Sequence, residues 1–504
     1  MSSKILNQPN IWIDVTTSFR WKKRPTGIPR TCNSLAQKWI ERNDPQIHFC
    51  VYSEFTHTFY KVPHEEVQRV TRRDGIPSGE SVESDLLLRI KKPSDYQKVN
   101  TDGSLKTAAK KVVRWFPEGI QQNIRNILQY TFDILGQLGY ISSWLIARMP
   151  FAPPWFKNRL SWLGEIRGLK RAEFNMSDTL LSLGSSWSEL SYNETVSRLV
   201  NARKIQFVPL IYDLIPYRFP HFFSASFSQQ FSKWAVSASK MANKILCISQ
   251  NTKKDIQLMA IREGFSAPEV KDLKLGMDIW EKQGVAPDRS GVTSEIPPFV
   301  LCVGTIEVRK NHWTIYQAWQ DLLLDLDPNQ VPVLAIAGQP GWLSSDITHM
   351  IRNNPSTSDK VIALEGLTDQ ELHWLYENCL FTLYPSFYEG WGLPVAEAMA
   401  CGKYCISSST SSLPEVGGDL IDYCAPNDVK GWYQAIKHAI QNPQYRQDKE
   451  ARIREQFTLQ SWEETSAEAI EFIQNKNAGN LNYQEPTETT TRYSIQPNVE
   501  VRNQ

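Results

Sequence analysis

The feature that most constrains this chain is a rhythm. Short, continuously apolar runs end in turns rich in Gly or Ser and lead into helical stretches. The second half shows it best, in VPVLAIAG, KVIAL, LFTLYPS and KYCISSS. A strand that is apolar at every position, not every other one, has both faces buried. Repeated strand–turn–helix units of that kind build a parallel sheet with helices on both faces. The first half repeats the pattern less regularly. Residues 11–15 (IWIDV) predict a first strand, a basic aromatic loop follows to Arg30, and a helix carries Leu35 and Trp39. Residues 46–53, 178–187, 204–216 and 242–256 continue the series, and 271–278 predict a short last strand.

At 504 residues the chain is too long for one typical core and suits two domains. The expected boundaries are an N-terminal domain over 1–285 and a C-terminal domain over 286–476. The charged, Gly- and Pro-containing stretch 280–298 is the linker, and the polar residues 477–504 are a disordered tail. An insertion is expected at about 61–175. Its first part, 61–105, is polar and without period, which predicts a long loop. Its second part, 106–171, carries eleven Lys or Arg against three acids, with apolar residues at helical spacing. Two readings stay open: a helix packed on the N-terminal domain, or an amphipathic helix in a membrane interface. Asp133, Gln129 and Gln137 argue against a spanning helix.

A net charge of +1 excludes a general polyanion binder, so no nucleic acid is expected. The eight cysteines include no CxxC pair and sit in apolar surroundings, as in a cytoplasmic protein with reduced thiols. No zinc spacing occurs, and residues 1–10 contain no apolar leader core.

The chemistry concentrates in residues 384–402, YPSFYEGWGLPVAEAMACG. Glu389 and Glu397 are eight positions apart, with Gly390, Gly392 and Pro394 between them. The glycines let backbone amides approach a ligand, and the helix started by residues 395–399 offers its N-terminus to a phosphate. Leu393 lies at that turn. Arg309 and Lys310, in GTIEVRKN after a strand, form a fixed pair of cations suited to a diphosphate.

This string resembles the E-x7-E signature of family 4 retaining glycosyltransferases (glycosyl transferases group 1). The resemblance implies the GT-B fold, an α/β architecture of two doubly wound Rossmann-like domains facing a central cleft. It is strongest from about Phe299 to Glu415. It implies that Glu389 orients the sugar, Glu397 in the first helical turn takes the ribose, and Arg309 with Lys310 grips the donor diphosphate. Gly27 in PTGIPR, Gly338 after its strand, Gly392 and Leu393 are expected near the donor. Arg30 adds charge there, backbone at 364–366 faces the base, and Glu415 holds its own serine-rich loop. No cofactor and no metal are expected, since no DxD-like motif is apparent and basic residues replace a metal clamp.

Two departures stand out. Thr305 occupies a position where relatives carry a further Arg. In LIYDLIPYRFP, Tyr212 stands where the family has His, before Asp213; both are expected to contact the sugar or the acceptor. Tyr titrates near pH 10 and is a poor base at neutral pH. The implied activity is transfer of a mannose-like or rhamnose-like hexose from a nucleotide-diphosphate sugar to a saccharide or lipid-linked saccharide, in surface polysaccharide synthesis. The implied location is the cytoplasm, with peripheral contact at the inner face of a membrane. The alternative is a non-catalytic, donor-binding or scaffold relative.

Overall fold

A computed structural model describes residues 9–21, 27–72, 168–277 and 297–475. The N-terminal sheet contains β1 (Ile11–Asp14), β2 (Ile47–Ser53), β3 (Thr58–Val62), β4 (Thr179–Ser182), β5 (Gln206–Ile211), β6 (Lys244–Cys247) and β7 (Glu269–Asp272). Its strand order is β3-β2-β1-β4-β5-β6-β7, and β3 alone runs antiparallel. The C-terminal sheet contains β8 (Phe299–Val303), β9 (Val333–Ala337), β10 (Val361–Leu364), β11 (Thr382–Tyr384), β12 (Cys405–Ser408) and β13 (Asp422–Cys424). It is parallel throughout, in the order β10-β9-β8-β11-β12-β13.

Both orders step outward from a central strand, return, and step outward the other way. Ligands of such sheets bind at the reversal, outside the carboxyl ends of the strands. That point lies between β1 and β4 in the first sheet and between β8 and β11 in the second. The all-buried patterns of β1, β4, β9 and β12 follow from helices on both faces. Carboxyl-end loops of one sheet touch those of the other, which gives the expected GT-B arrangement.

Three expectations need correction. Residues 61–72 are not loop: β3 ends at Val62, and a helix, His64–Thr71, starts behind Pro63 with Glu65 and Glu66 in its first turn. Acids there complement the helix dipole. The far end of the expected insertion returns to the same place. Lys61 N–H donates to Lys170 O and Ala172 N–H to Phe59 O, each at 2.9 Å, so residues 170–172 cover the β3 edge. The last N-terminal strand is Glu269–Asp272, two residues earlier than expected and shorter, because pairing with β6 stops at Asp272.

The third correction concerns the final helix, Trp462–Gln474, counted with the C-terminal domain in the sequence. It packs into the N-terminal core, where Trp462, Ile470 and Ile473 join Leu35 and Trp39. Trp39 Nε1 donates to Ser466 O at 3.2 Å. Gly276 passes so close that a Cβ there would sit 2.5 Å from the Trp462 backbone. The chain therefore passes back to the N-terminal domain ahead of this helix. The linker 280–296, the basic stretch 106–167 and the tail from 476 lie outside the described residues. Among the described residues no helix is long and apolar enough to cross a membrane.

Candidate functional site

The site grows from the two loops that flank the C-terminal reversal point. After β8 the chain turns at Gly304, and Gly338 packs against it. A Cβ on Gly338 would lie 2.0 Å from Gly304 O, so Gly338 has a packing reason to be glycine. A short 3-10 turn, Val308–Lys310, then ends at Asn311 in the left-handed region. The Asn311 side chain donates to Pro385 O at 3.0 Å and Pro426 O at 2.7 Å. Those bonds fasten the β8 loop, which carries Arg309 and Lys310, to the loops after β11 and β13.

The β11 loop supplies their partner. Glu389 is 7% exposed. Its Oε2 lies 2.7 Å from Arg309 Nη1 and its Oε1 2.6 Å from Lys310 Nζ. Tyr384 accepts from Lys310 Nζ at 2.7 Å and donates to Glu389 Oε1 at 3.0 Å. Arg309 also reaches Glu307 at 2.8 Å and the Tyr388 carbonyl at 2.8 Å. The serine-rich loop after β12 clamps this backbone: Ser411 Oγ accepts from Glu389 N–H at 2.9 Å, and Ser412 Oγ donates to Trp391 O at 2.7 Å.

Burial and charge compete here. Burial alone raises the Glu389 carboxyl, but Arg309 and then Lys310 outweigh it and hold it at about 2. Burial lowers the Lys310 ammonium, and Glu389 offsets only part of that. Burial also opposes the Arg309 charge, yet Glu389 and Glu307 leave it held more firmly than usual. The cluster is an ionised, water-poor triad with two cations on one carboxylate.

Gly392 has φ of 119° and precedes the helix Leu393–Ala400. The helix starts two residues earlier than expected, at Leu393, because Pro394 suits its first turn. Glu397 thus falls in the second turn, not the first. It is 6% exposed and accepts from Tyr376 Oη at 3.0 Å. Its second partner comes from the other domain, Arg30 Nη1 at 3.2 Å. Gly27 has φ of 55°, and its Cβ side meets no atom within 4 Å. The helix Ile28–Arg42 follows directly, so Arg30 sits in its first turn and not at the end of a loop.

Tyr212 and Asp213 follow β5. The Tyr212 hydroxyl donates to Leu183 O at 2.7 Å and lies 3.6 Å from Cys32 Sγ, so it is spent inside its own domain. Burial pushes it well above the ordinary Tyr range. Asp213 Oδ1 accepts from Ile215 N–H at 2.9 Å. Burial raises its carboxyl, while the Ile215 amide and Arg309 pull the other way. Across the interface Gly390 leaves room for this turn. A Cβ there would sit 2.5 Å from Tyr212 O and 3.0 Å from Asp213 Cβ.

Sequence reasoning missed a second interdomain cluster. Tyr388 Oη accepts from Arg218 Nη1 and Asn251 Nδ2, each at 2.7 Å, and donates to Asp255 Oδ2 at 2.8 Å. Arg218 also pairs with Asp255. Tyr388 stands beside Glu389 in the quoted string, a usable signal; Asp255, inside a helix, gives none. Glu415 was expected to hold its own loop. Instead its two oxygens accept from Gln250 and Asn251 N–H, each at 2.7 Å, at the N-terminus of the helix Gln250–Arg262 in the other domain. A carboxylate there is favoured by two amides and the dipole. Near the expected base position Glu365 is paired with Arg352 at 2.5 Å. Among the described residues no group of three or more His, Cys, Asp or Glu is placed to hold a metal ion.

The family Glycosyl transferases group 1 matches residues 288–456. The C-terminal domain is a glycosyl transferases group 1 domain. It contains both Glu389 and Glu397, and both Arg309 and Lys310. This group 1 domain is similar to O-antigen chain mannosyltransferase B of Escherichia coli, 34% identical over 172 residues, which is 34% of this chain and 44% of that protein. It is also similar to O-antigen chain mannosyltransferase RfbU of Salmonella typhimurium, 39% identical over 85 residues, 17% of this chain and 24% of that protein. The chain thus matches less than half the length of these curated relatives. Among solved structures, Anabaena Alr3699/HepE in complex with UDP aligns over 92% of this chain and 99% of that one. Its TM-score is 0.49 at 12% identity, too distant to bear on function.

Proposed function

We propose that the chain is a retaining glycosyltransferase that moves a mannose-like or rhamnose-like hexose from a nucleotide-diphosphate sugar to a saccharide or lipid-linked saccharide in surface polysaccharide synthesis. The observation that carries this reading is the buried triad of Arg309, Lys310 and Glu389 at the reversal point of a group 1 domain. The names of the relatives support mannose as the first sugar to try.

In this reading the diphosphate lies against Arg309, Lys310 and the amides that open the helix after Gly392. The two cations stabilise negative charge as the sugar–phosphate bond breaks. Glu389, kept ionised by the same cations, faces the anomeric carbon as it gains positive charge. The acceptor hydroxyl oxygen bonds to that carbon on the face the diphosphate leaves, and its proton passes to a departing phosphate oxygen. Glu397 takes the ribose hydroxyls once Arg30 releases it. Gly27, Gly338 and Leu393 line the donor's approach. The Tyr212 hydroxyl takes no part in proton transfer, because it is already bonded to Leu183 O.

A lipid-linked acceptor would go with a cytoplasmic chain held at the inner membrane face by the basic segment 106–171. Flotation with anionic liposomes, with and without that segment, tests this; binding that does not depend on the segment removes it. Transfer is tested with GDP-mannose, dTDP-rhamnose and UDP-hexoses, for wild type and Glu389→Ala. Turnover with one donor that falls at least a hundredfold in the variant is expected. Absence of Glu389-dependent turnover with every donor would favour the non-catalytic relative.

A further inference from the structure

Tyr388 belongs to the group 1 domain, but its side chain is housed by the other one. The ring is 9% exposed and packs with Ile215, Phe219 and Phe222. The Phe219 ring lies 4.8 Å from it between centroids, and the Arg218 guanidinium stands over its face at 5.2 Å. A phenylalanine would fill that socket equally well. The hydroxyl goes further, because it gives its one proton to Asp255 and accepts from Arg218 and Asn251. Asp255 is 2% exposed and is held by Tyr388 and Arg218. A buried carboxylate that loses a donor is costly. The socket therefore favours an inserted Tyr388 over a withdrawn one.

The backbone of the same residue belongs to the triad. Tyr388 C=O and Glu389 N–H are the two ends of one planar peptide group. The carbonyl accepts from Arg309 Nη1 at 2.8 Å, and the N–H donates to Ser411 Oγ at 2.9 Å. One residue earlier, Phe387 N–H donates to Arg309 O at 2.9 Å. Turning that peptide group would move the acceptor of Arg309 and the Cα of Glu389 together. Its two ends are pinned within the group 1 domain, and the Tyr388 side chain adds a support anchored in the N-terminal domain. Among the described residues Arg218, Asn251 and Asp255 make no hydrogen bond or ion pair to Arg309, Lys310 or Glu389, and Tyr388 bonds to both groups. We propose that Tyr388 is a positioning residue, through which seating of the N-terminal domain sets the geometry of Arg309 and Glu389. The inference rests on the reading of that triad as the site of the donor diphosphate and sugar. It assigns the N-terminal domain a part in donor chemistry without contact to the donor.

The test compares the full chain with Tyr388→Phe, Asn251→Ala and the double variant. Asn251→Ala keeps the Tyr388 ring and the backbone amide that serves Glu415, so it retains the fold. Hydrogen exchange of residues 305–311 and 385–392 is measured without ligand. GDP affinity is measured by calorimetry, and kcat from GDP release with GDP-mannose. Exchange in both segments is expected to quicken about tenfold in Tyr388→Phe and about threefold in Asn251→Ala, although Asn251 lies in the other domain. The kcat should fall by the same factors while GDP affinity stays within about twofold. The double variant should match Tyr388→Phe alone, because both changes act through one hydroxyl. Unchanged exchange in both segments overturns the proposal. So do losses that multiply in the double variant, or a GDP affinity that falls in step with kcat. A wild type that releases no GDP from GDP-mannose counts against the donor reading alone, and exchange then decides the positioning role.

Discussion

Replacing Glu389 by Gln removes the one carboxylate that Arg309 and Lys310 share, at 2.7 and 2.6 Å. Gln keeps the shape and one acceptor oxygen, so the loss is electrostatic. The carboxyl sits at about 2 against an ordinary 4.5. That difference corresponds to about 3 kcal/mol of stability near pH 7. Removing one member of a buried pair is expected to fall in the same range, because two cations stay desolvated. For a domain of this size, about 3 kcal/mol lowers Tm by roughly 6–12 °C. The effect has a pH signature. The folded carboxyl titrates below the unfolded one, so its contribution is complete above about 4.5 and fades as pH falls towards 2. By pH 3.5 a substantial part of it, about 1 kcal/mol, is gone. Urea unfolding of wild type and Glu389→Gln at pH 7, 5 and 3.5, with thermal melts at pH 7, measures this. The gap between the proteins should be constant from pH 7 to 5 and narrower at 3.5. Equal stability at pH 7, or a gap that widens in acid, refutes the account of the triad.

Gly390→Ala should leave Tm within about 2 °C while cutting transfer at least tenfold, because the new methyl meets Tyr212 O of the other domain and not its own core; a large fall in Tm contradicts this. Glu415→Gln should weaken the interdomain contact by about 1 kcal/mol, since a charged acceptor on two amides at a helix N-terminus becomes neutral. Small-angle scattering should show a more extended ensemble, and an unchanged profile speaks against the contact. Trp462→Ala should destabilise the N-terminal domain by about 3–5 kcal/mol, although the residue follows the group 1 domain in sequence. Domain-resolved hydrogen exchange checks this, and protection lost only in residues 297–461 contradicts it.

Much of the fold was legible because strand and turn signals are local. An apolar run closed by Gly or Ser marks β8, β9, β11 and β12 with few competing readings. The helix behind β3 was harder, because its eight residues hold only a few apolar positions, too few for a clear period. Candidate residues within one loop, such as Glu389 with its glycines, were legible for the same local reason. Their partners were not. Glu397 meets Arg30 across 367 positions, and Glu415 meets the helix at Gln250 across 165. Such pairings are fixed by how the two sheets face each other, and no periodicity records that. Tyr212 shows the converse. Its identity flagged a departure, but only packing reveals that its hydroxyl is engaged by Leu183 O.

The central claim is that Arg309 and Lys310 hold the diphosphate of a nucleotide sugar. Calorimetric titration of GDP, UDP and dTDP into the full chain and its Arg309→Ala variant tests it most directly. The account predicts micromolar binding of at least one diphosphate and a loss of about thirtyfold, near 2 kcal/mol, in the variant. Binding of none of the three, or equal binding by both proteins, would contradict it.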